Sequence, residues 1–394
     1  MRAATNPPPV IIIGAHTVGL AILRALDGHG MARIVLSYDH ADMGRVSRHV
    51  TTLIDCPHPE NEAPAFLSFL EHLAPLYPGA LLLPASDAAL AGLARWKDRL
   101  SDRFQVGCAD PGVVAGFIDK KRTYALAAQM GVSAPRTLVP QSEAEARTYA
   151  ETALFPCLVK PCQSHRYFEV FHCKMVRAAN PDELLTAYRA AAAAGLEVVL
   201  QEYIPGGDDC GVNYNAYFWD GQARAEFTAR KWRNAPPELG SPCVVQSATI
   251  PEVIEPGRRI LAALGFNGFA CTEFKRDPRD GVYKLMEVNG RHNLSGHLAV
   301  YCGLNFPLLH YRHLMFGELP SPTPYRQDVY WIDLTRDLAY HLRRVLRGEL
   351  TLRAFLAPYR GKHTFAILDR RDLRPFLKRL GGLLGSALRG ERSI

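Results

Sequence analysis

Residues 270–291 read ACTEFKRDPRDGVYKLMEVNGR, and this stretch decides the fold. Two strand-like runs, 270–276 and Tyr283–Asn289, flank a D-P-R-D-G turn, the pattern of a β-hairpin. Glu273 and Glu287 fall on its two adjacent strands. Alternation with period two puts Glu287 and Asn289 on one face, with Glu273 opposite them. Three oxygen-bearing side chains then converge, the hard donor set suited to Mg²⁺ carrying a nucleotide phosphate. Arg291, two residues further on, aims a guanidinium at the same place, where it neutralises charge in a phosphoryl or acyl transition state. Phe269, Cys271, Leu285, Met286 and Val288 surround the acids, which favours a buried sheet over a surface hairpin laced with salt bridges.

Upstream, strand and helix signals alternate. Val10–Ile13 is an apolar run ending at Gly14, and helical spacing follows through Val18, Ile22 and Leu26. Strands over 34–38 and 80–84 and helices over 65–76 and 88–100 complete a small open α/β sheet. Gly14 and Gly19 lack the third glycine of a dinucleotide-binding turn, so this sheet reads as structural or substrate-binding. Ser86 and Asp87, at the end of a strand, read equally as ligand contacts or as a helix cap. Lys120 opens a helix over 119–130, and Lys160 ends a buried strand over 154–160. Either lysine alone also fits a solvated terminus. A second strand over 168–176, a helix over 181–194 and a strand over 198–204 follow, closed by Pro205-Gly206-Gly207. Further strands run to Tyr217 and over 225–231 and 244–250, before a helix over 255–264.

At 394 residues the chain fits two or three packed domains. Its 48% apolar and 22% charged residues exclude a disordered chain. No window of 18 apolar residues implies a membrane span, and the N-terminus lacks the apolar core of a signal peptide. Nine cysteines without a C-x-x-C pair read as reduced thiols in a cytoplasmic protein. From Arg326 onward, 15 Lys and Arg stand against 7 Asp and Glu, a surplus larger than the whole chain's +7. The charge is thus local, without zinc spacing or RNA-binding aromatics, and no nucleic-acid partner is expected. This basic stretch follows Pro320, Pro322 and Pro324. Its apolar spacing at Leu334, Leu338, Leu342, Val345 and Leu346 predicts a helix packed on the body, followed by a loosely held end after 373 with no stable membrane insertion.

In order and spacing these pieces resemble the ATP-grasp superfamily of carboxylate–amine ligases over roughly residues 10–320. Asp119-Lys120, its helix and Gly131-Val132-Ser133-Ala134-Pro135 resemble the first nucleotide lysine and its sequel. Leu158-Val159-Lys160-Pro161 resembles the second lysine strand. Gln201-Glu202-Tyr203-Ile204 resembles the hinge whose backbone meets the adenine edge, with Asp208 as the ribose-holding acid. Glu273 and Glu287-Val288-Asn289-Gly290-Arg291 resemble the metal and transition-state motif. Pro84-Ala85-Ser86-Asp87, Gly207-Asp208-Asp209, Arg230-Lys231 and Asn305-x-Pro307 are similar to the subgroup containing D-aspartate ligase and the pyrrolysine-pathway ligase. One departure stands out: residues 161–167, PCQSHRY, carry no glycine where many members have a phosphate-covering glycine-rich loop. Lys174, His165 or Arg166 then supply positive charge there.

The resemblance implies an α/β chain with the ATP-grasp fold. An N-terminal open parallel domain (1–112) precedes a central lobe (113–200) and a C-terminal lobe with the metal site (201–320), the two lobes clasping ATP, and a basic extension (321–394) follows. It implies an ATP-dependent ligase that joins a carboxylate to an amine through an acyl phosphate. ATP would contact Lys120, Lys160, Lys174, Gln201, Glu202, Tyr203, Ile204 and Asp208. Two Mg²⁺ ions, with Mn²⁺ as the alternative, would sit on Glu273, Glu287 and Asn289. Arg291 and Lys231 would be catalytic, and Ser86, Asp87, Arg230 and Ser295 would bind small-molecule substrates. A homodimer is the assembly expected from the resemblance. Competing readings are an ATP-grasp carboxylase or carbamoyl-phosphate-type enzyme, and a non-catalytic nucleotide-binding switch.

Overall fold

A computed structural model describes residues 7–162, 167, 170–173, 175–238 and 240–388. The first sheet is parallel: β1 (Val10–Ile13), β2 (Arg33–Ser37), β3 (Thr52–Asp55), β4 (Leu81–Pro84) and β5 (Gln105–Val106), in the order β3-β2-β1-β4-β5. Every residue of β1 and β4 is buried, which is why both read as unbroken apolar runs. β3 and β5 escape a sequence reading because the first alternates half-buried and exposed residues and the second is two residues long. The helix expected over 88–100 is broken at Trp96 into Asp87–Arg95 and Lys97–Ser101. Between β1 and β4 the strand order reverses. The crevice beyond their carboxyl ends is the place where open α/β sheets present ligand contacts.

The second sheet is antiparallel, with β6 (Thr137–Leu138), β7 (Cys157–Pro161), β8 (Val176–Ala178) and β9 (Val198–Glu202) in the order β6-β9-β7-β8. Helices Glu143–Thr152 and Pro181–Ala193 cover it through Tyr149, Leu184 and Leu185. Asn180 caps the second helix through the Glu183 amide. The strand expected over 168–176 is corrected: Val170 and Phe171 are helical, and pairing starts only at Val176. Lys174, His165 and Arg166 lie outside the described residues.

The third sheet holds β10 (Gly211–Trp219), β11 (Gln222–Ala235), β12 (Ser241–Ser247), β13 (Gly268–Arg276), β14 (Tyr283–Asn289), β15 (Val329–Ile332) and β16 (Lys362–Phe365). Their order is β14-β13-β10-β11-β12-β15-β16, so strands from beyond residue 320 continue the same sheet. One face sends Val212, Tyr214, Phe274, Leu285 and Val288 into the main apolar core. The opposite face carries the polar residues considered below.

The helical stretch 334–346 is present, with a π-helical turn at Leu338–Leu342, but its leucine face does not pack as the spacing predicts. Leu338, Leu342 and Leu346 are 40, 42 and 80% exposed. Thr335, Asp337 and His341 are buried instead. Asp337 decides the orientation: Arg233 of β11 grips both of its oxygens at 2.8 Å, and Tyr359 donates a third bond at 2.6 Å. Once that buried pair forms, the leucines face outward. Cys243 and His341 stand beside the same carboxylate, yet the guanidinium already supplies its counter-charge.

Candidate active site

β13 and β14 pair with Glu273 opposite Glu287 and Cys271 opposite Asn289, while Asn213 of β10 faces Glu273 from the other side. Alternation sends Phe274 and Val288 into the core and points Glu273, Glu287 and Asn289 to the cleft, while a register shift between Glu273 and Phe274 turns Leu285 to the core as well. Lys231 reaches over from β11 to Glu273, Nζ to Oε2 2.5 Å. A Cβ on Gly211 would stand 2.9 Å from the Lys231 stem, so glycine makes room for that reach. Burial acts against the Lys231 charge, but Glu273 more than restores it and the pKa is raised. Glu287 lies deep in the cleft with its side chain open to it. Desolvation, then the like charge of Glu273, pushes its carboxyl above the usual range. The Oδ1 atom of Asn213 is buried without a partner among the described residues.

Arg291 spans the molecule. Its Nε and Nη2 donate to the two oxygens of Asp87 at 2.6 and 2.8 Å, a fork-to-carboxylate pair between residues 204 apart in the chain. Its Nη1 donates to the carbonyl of His292 at 3.1 Å. Gly290 permits the turn from Asn289 into Arg291, because a side chain there would collide with the Phe117 ring. Ser86 caps the helix Asp87–Arg95 through the Ala89 amide at 3.0 Å, and its hydroxyl also meets the Tyr38 phenol at 2.7 Å. His16 stands in the same crevice. Its pKa is lowered to about 4 by burial and by Arg291, and its Nδ1 accepts from the Val18 amide at 3.2 Å, so the ring is neutral. Ser295 is 5% exposed and lines the cleft beside Asn293.

A second group of cations faces the carboxylates from the other lobe. Lys160, at the end of β7, donates to Gln201 Oε1 at 2.5 Å, and buried Gln201 is fixed in turn by donating to Thr137 at 3.0 Å. Burial, then Lys120, lowers the Lys160 pKa to about 8, with Glu287 opposing. The three side chains therefore sense one another's charge. Lys120 starts a helix capped by Asp119, which accepts from the Lys121 amide at 2.9 Å. Glu202 accepts from the Arg136 amide at 3.1 Å and pairs with Arg279, while its own amide donates to the Arg136 carbonyl at 2.9 Å. Ile204 is buried, and the Tyr203 ring lies under Arg177 and Lys275, 4.2 and 5.4 Å from its centre.

Two expected residues take other places. Asp208 accepts from the amide and side chain of Asn234 at 2.7 and 3.0 Å and from the Glu238 amide at 2.8 Å, so its oxygens pin that turn. Arg230 is exposed on the face of β11 opposite Lys231 and does not line the cleft. Asn213 also lines the cleft, and its signal in the sequence is a polar residue at period two with Asn215 within the otherwise apolar strand β10.

No family model matches the chain. It is 26% identical over 236 residues to the D-aspartate ligase of Enterococcus faecium (strain Aus0004), covering 57% of this chain and 56% of that protein. The chain thus spans little more than half the length of that relative. Among solved structures, it superposes with a TM-score of 0.62 on an L-amino acid ligase from Bacillus licheniformis, at 18% identity over 79% of this chain and 75% of that one. The ADP complex of an N5-carboxyaminoimidazole ribonucleotide synthetase gives a TM-score of 0.65 at 16% identity, over 89% of this chain and 87% of that one. With three sheets in this arrangement, the chain has the ATP-grasp fold.

Proposed function

We propose that the protein is an ATP-dependent ligase that joins a carboxylate to an amine through an acyl phosphate and releases ADP and phosphate. The observation that carries this reading is the meeting in one cleft of Glu273, Glu287 and Asn289 with Lys120 and Lys160 on one side and Arg291 on the other. The oxygen donors fit Mg²⁺: two carboxylates oppose each other, one with a raised pKa, beside a buried amide oxygen at Asn213 that has no partner among the described residues. Glu273, Glu287 and Asn289 would hold it, as two Mg²⁺ ions with Mn²⁺ as the alternative, and it would supply positive charge to offset that of the outer phosphates.

The residues divide the work. Lys120 and Lys160 hold the triphosphate, and the backbone of Glu202–Ile204 lines the adenine edge. The γ-phosphoryl group passes to an oxygen of the substrate carboxylate as its bond to ADP breaks. The amine then attacks the acyl carbon, the carbon–oxygen bond to phosphate breaks, and phosphate leaves. Arg291 and Lys231 neutralise the acyl phosphate and the tetrahedral oxyanion. Ser86, Asp87 and Ser295 line the acceptor side. Asp208 acts on the nucleotide indirectly, by holding the 234–238 turn. ATP chemistry and nine unpaired thiols support a cytoplasmic location.

A screen of amino acids and small peptides for ADP release, with mass spectrometry of products, tests this. The expected result is ADP release that needs both a carboxylate and an amine, with a product lighter than their sum by one water. ADP release driven by bicarbonate alone would assign the carboxylase chemistry, and nucleotide binding without turnover would assign a switch.

A further inference from the structure

The helix Arg374–Leu388 shows the rest of the protein one apolar face and the solvent another. Its inner side is fixed. Phe376 packs against the cluster containing Leu20, Met43 and Phe306, and Lys378 Nζ donates to the His40 carbonyl at 2.7 Å. Just before the helix, buried Asp372 accepts from Ser47 Oγ at 2.7 Å and the Arg48 amide at 3.0 Å, and pairs with Arg24 at 3.2 Å. The helix therefore cannot roll to hide its outer side. There Leu373, Leu377 and Leu384 are 47, 61 and 66% exposed. At about 100° per residue they fall within about 40° of one another around the axis. From 373 to 388 the sequence has no Asp or Glu. Arg374 is exposed at the start of the same helix, and Arg370 and Arg371 are exposed immediately before it.

We propose that this face docks the protein on an anionic lipid bilayer, with the helix lying in the headgroup plane and the leucines entering it. Charge complementarity carries the choice of occupant: the stripe is acid-free, cation-flanked, and part of the segment that holds the chain's whole positive surplus. A second copy seated here by two-fold symmetry would set these cations against their own counterparts. A folded protein partner needs anchors and hydrogen bonds that fix a register, typically aromatic residues and arginines in pockets. Here leucines alternate with Gly381, Gly382, Gly385 and Ser386, which define no register. A bilayer requires none. Attachment is peripheral, since among the described residues no helix is long and apolar enough to cross a membrane.

Flotation of the full chain with phosphatidylglycerol-containing vesicles, against pure phosphatidylcholine vesicles, tests the proposal. The expected result is binding to the anionic vesicles alone, weakening as salt rises. L377E/L384E should lose that binding while the thermal midpoint and ATP turnover stay at wild-type values. R370E/R371E/R374E, which keeps the leucines, should lose it too. No binding to anionic vesicles at low salt would overturn the proposal, as would undiminished binding of either variant. A dimer seen by light scattering that L377E/L384E dissociates, without vesicle binding, would assign the face to a second copy and overturn it equally.

Discussion

Glu287 and Lys160 face each other across the cleft and lead to separate predictions. Glu287→Gln removes one charge from the oxygen cluster and leaves the hinge untouched. Turnover should fall by about 10³-fold or more, with nucleotide affinity changed less than about tenfold, because the lost interaction acts on the phosphates in the transition state. ADP release at the wild-type rate would refute the metal assignment. Lys160 adds a pH dependence. With its pKa lowered to about 8, it carries a proton below that pH and loses it above. In the proposed function nucleotide binding needs the charged form, so above pH 8 each unit should weaken affinity by up to about tenfold, with proton uptake on binding. Lys160→Arg should flatten that profile in a nucleotide titration. At this scale the sequence was informative, because strand alternation places Glu287 and Asn289 on one face and the hairpin sets Glu273 opposite them. It did not show the partners of Asp208, whose carboxylate accepts from amides 26 and 30 residues later in the chain.

The β13–β14 hairpin and the turn that follows form the element on which the proposed chemistry depends. Gly290 has no room for a side chain because the Phe117 ring fills it. Gly290→Ala should cost about 1–3 kcal/mol in denaturant unfolding through overpacking, and should lower kcat through misplacement of Arg291. The helix 334–346 shows where pattern reading fails. Its leucines have helical period, yet one buried ion pair outweighs them, because leaving Asp337 and Arg233 unpaired inside the protein costs more than exposing leucines. Asp337→Asn should therefore destabilise the fold by about 3–5 kcal/mol, since it strands the Arg233 guanidinium. A loss below about 1 kcal/mol by urea titration would mean that solvent reaches that guanidinium. Apolar periodicity identifies a helix. Which face turns inward depends on a partner distant in sequence.

In the whole molecule the three sheets meet along one cleft, and the Asp87–Arg291 pair ties the first sheet to the third. Each end of that pair was visible in the sequence, one at a strand end and one two residues past Asn289. Their contact was not, because no local pattern encodes a bond across 204 residues. The parallel sheet was legible only where burial on both faces made its strands uniformly apolar, which left the edge strands β3 and β5 unread. The central claim, transfer of a phosphoryl group to a carboxylate oxygen ahead of amide formation, is tested most directly with an ¹⁸O-labelled carboxylate substrate. Mass spectrometry of the released phosphate should show one labelled oxygen for each amide formed. Unlabelled phosphate alongside full product formation would contradict the account.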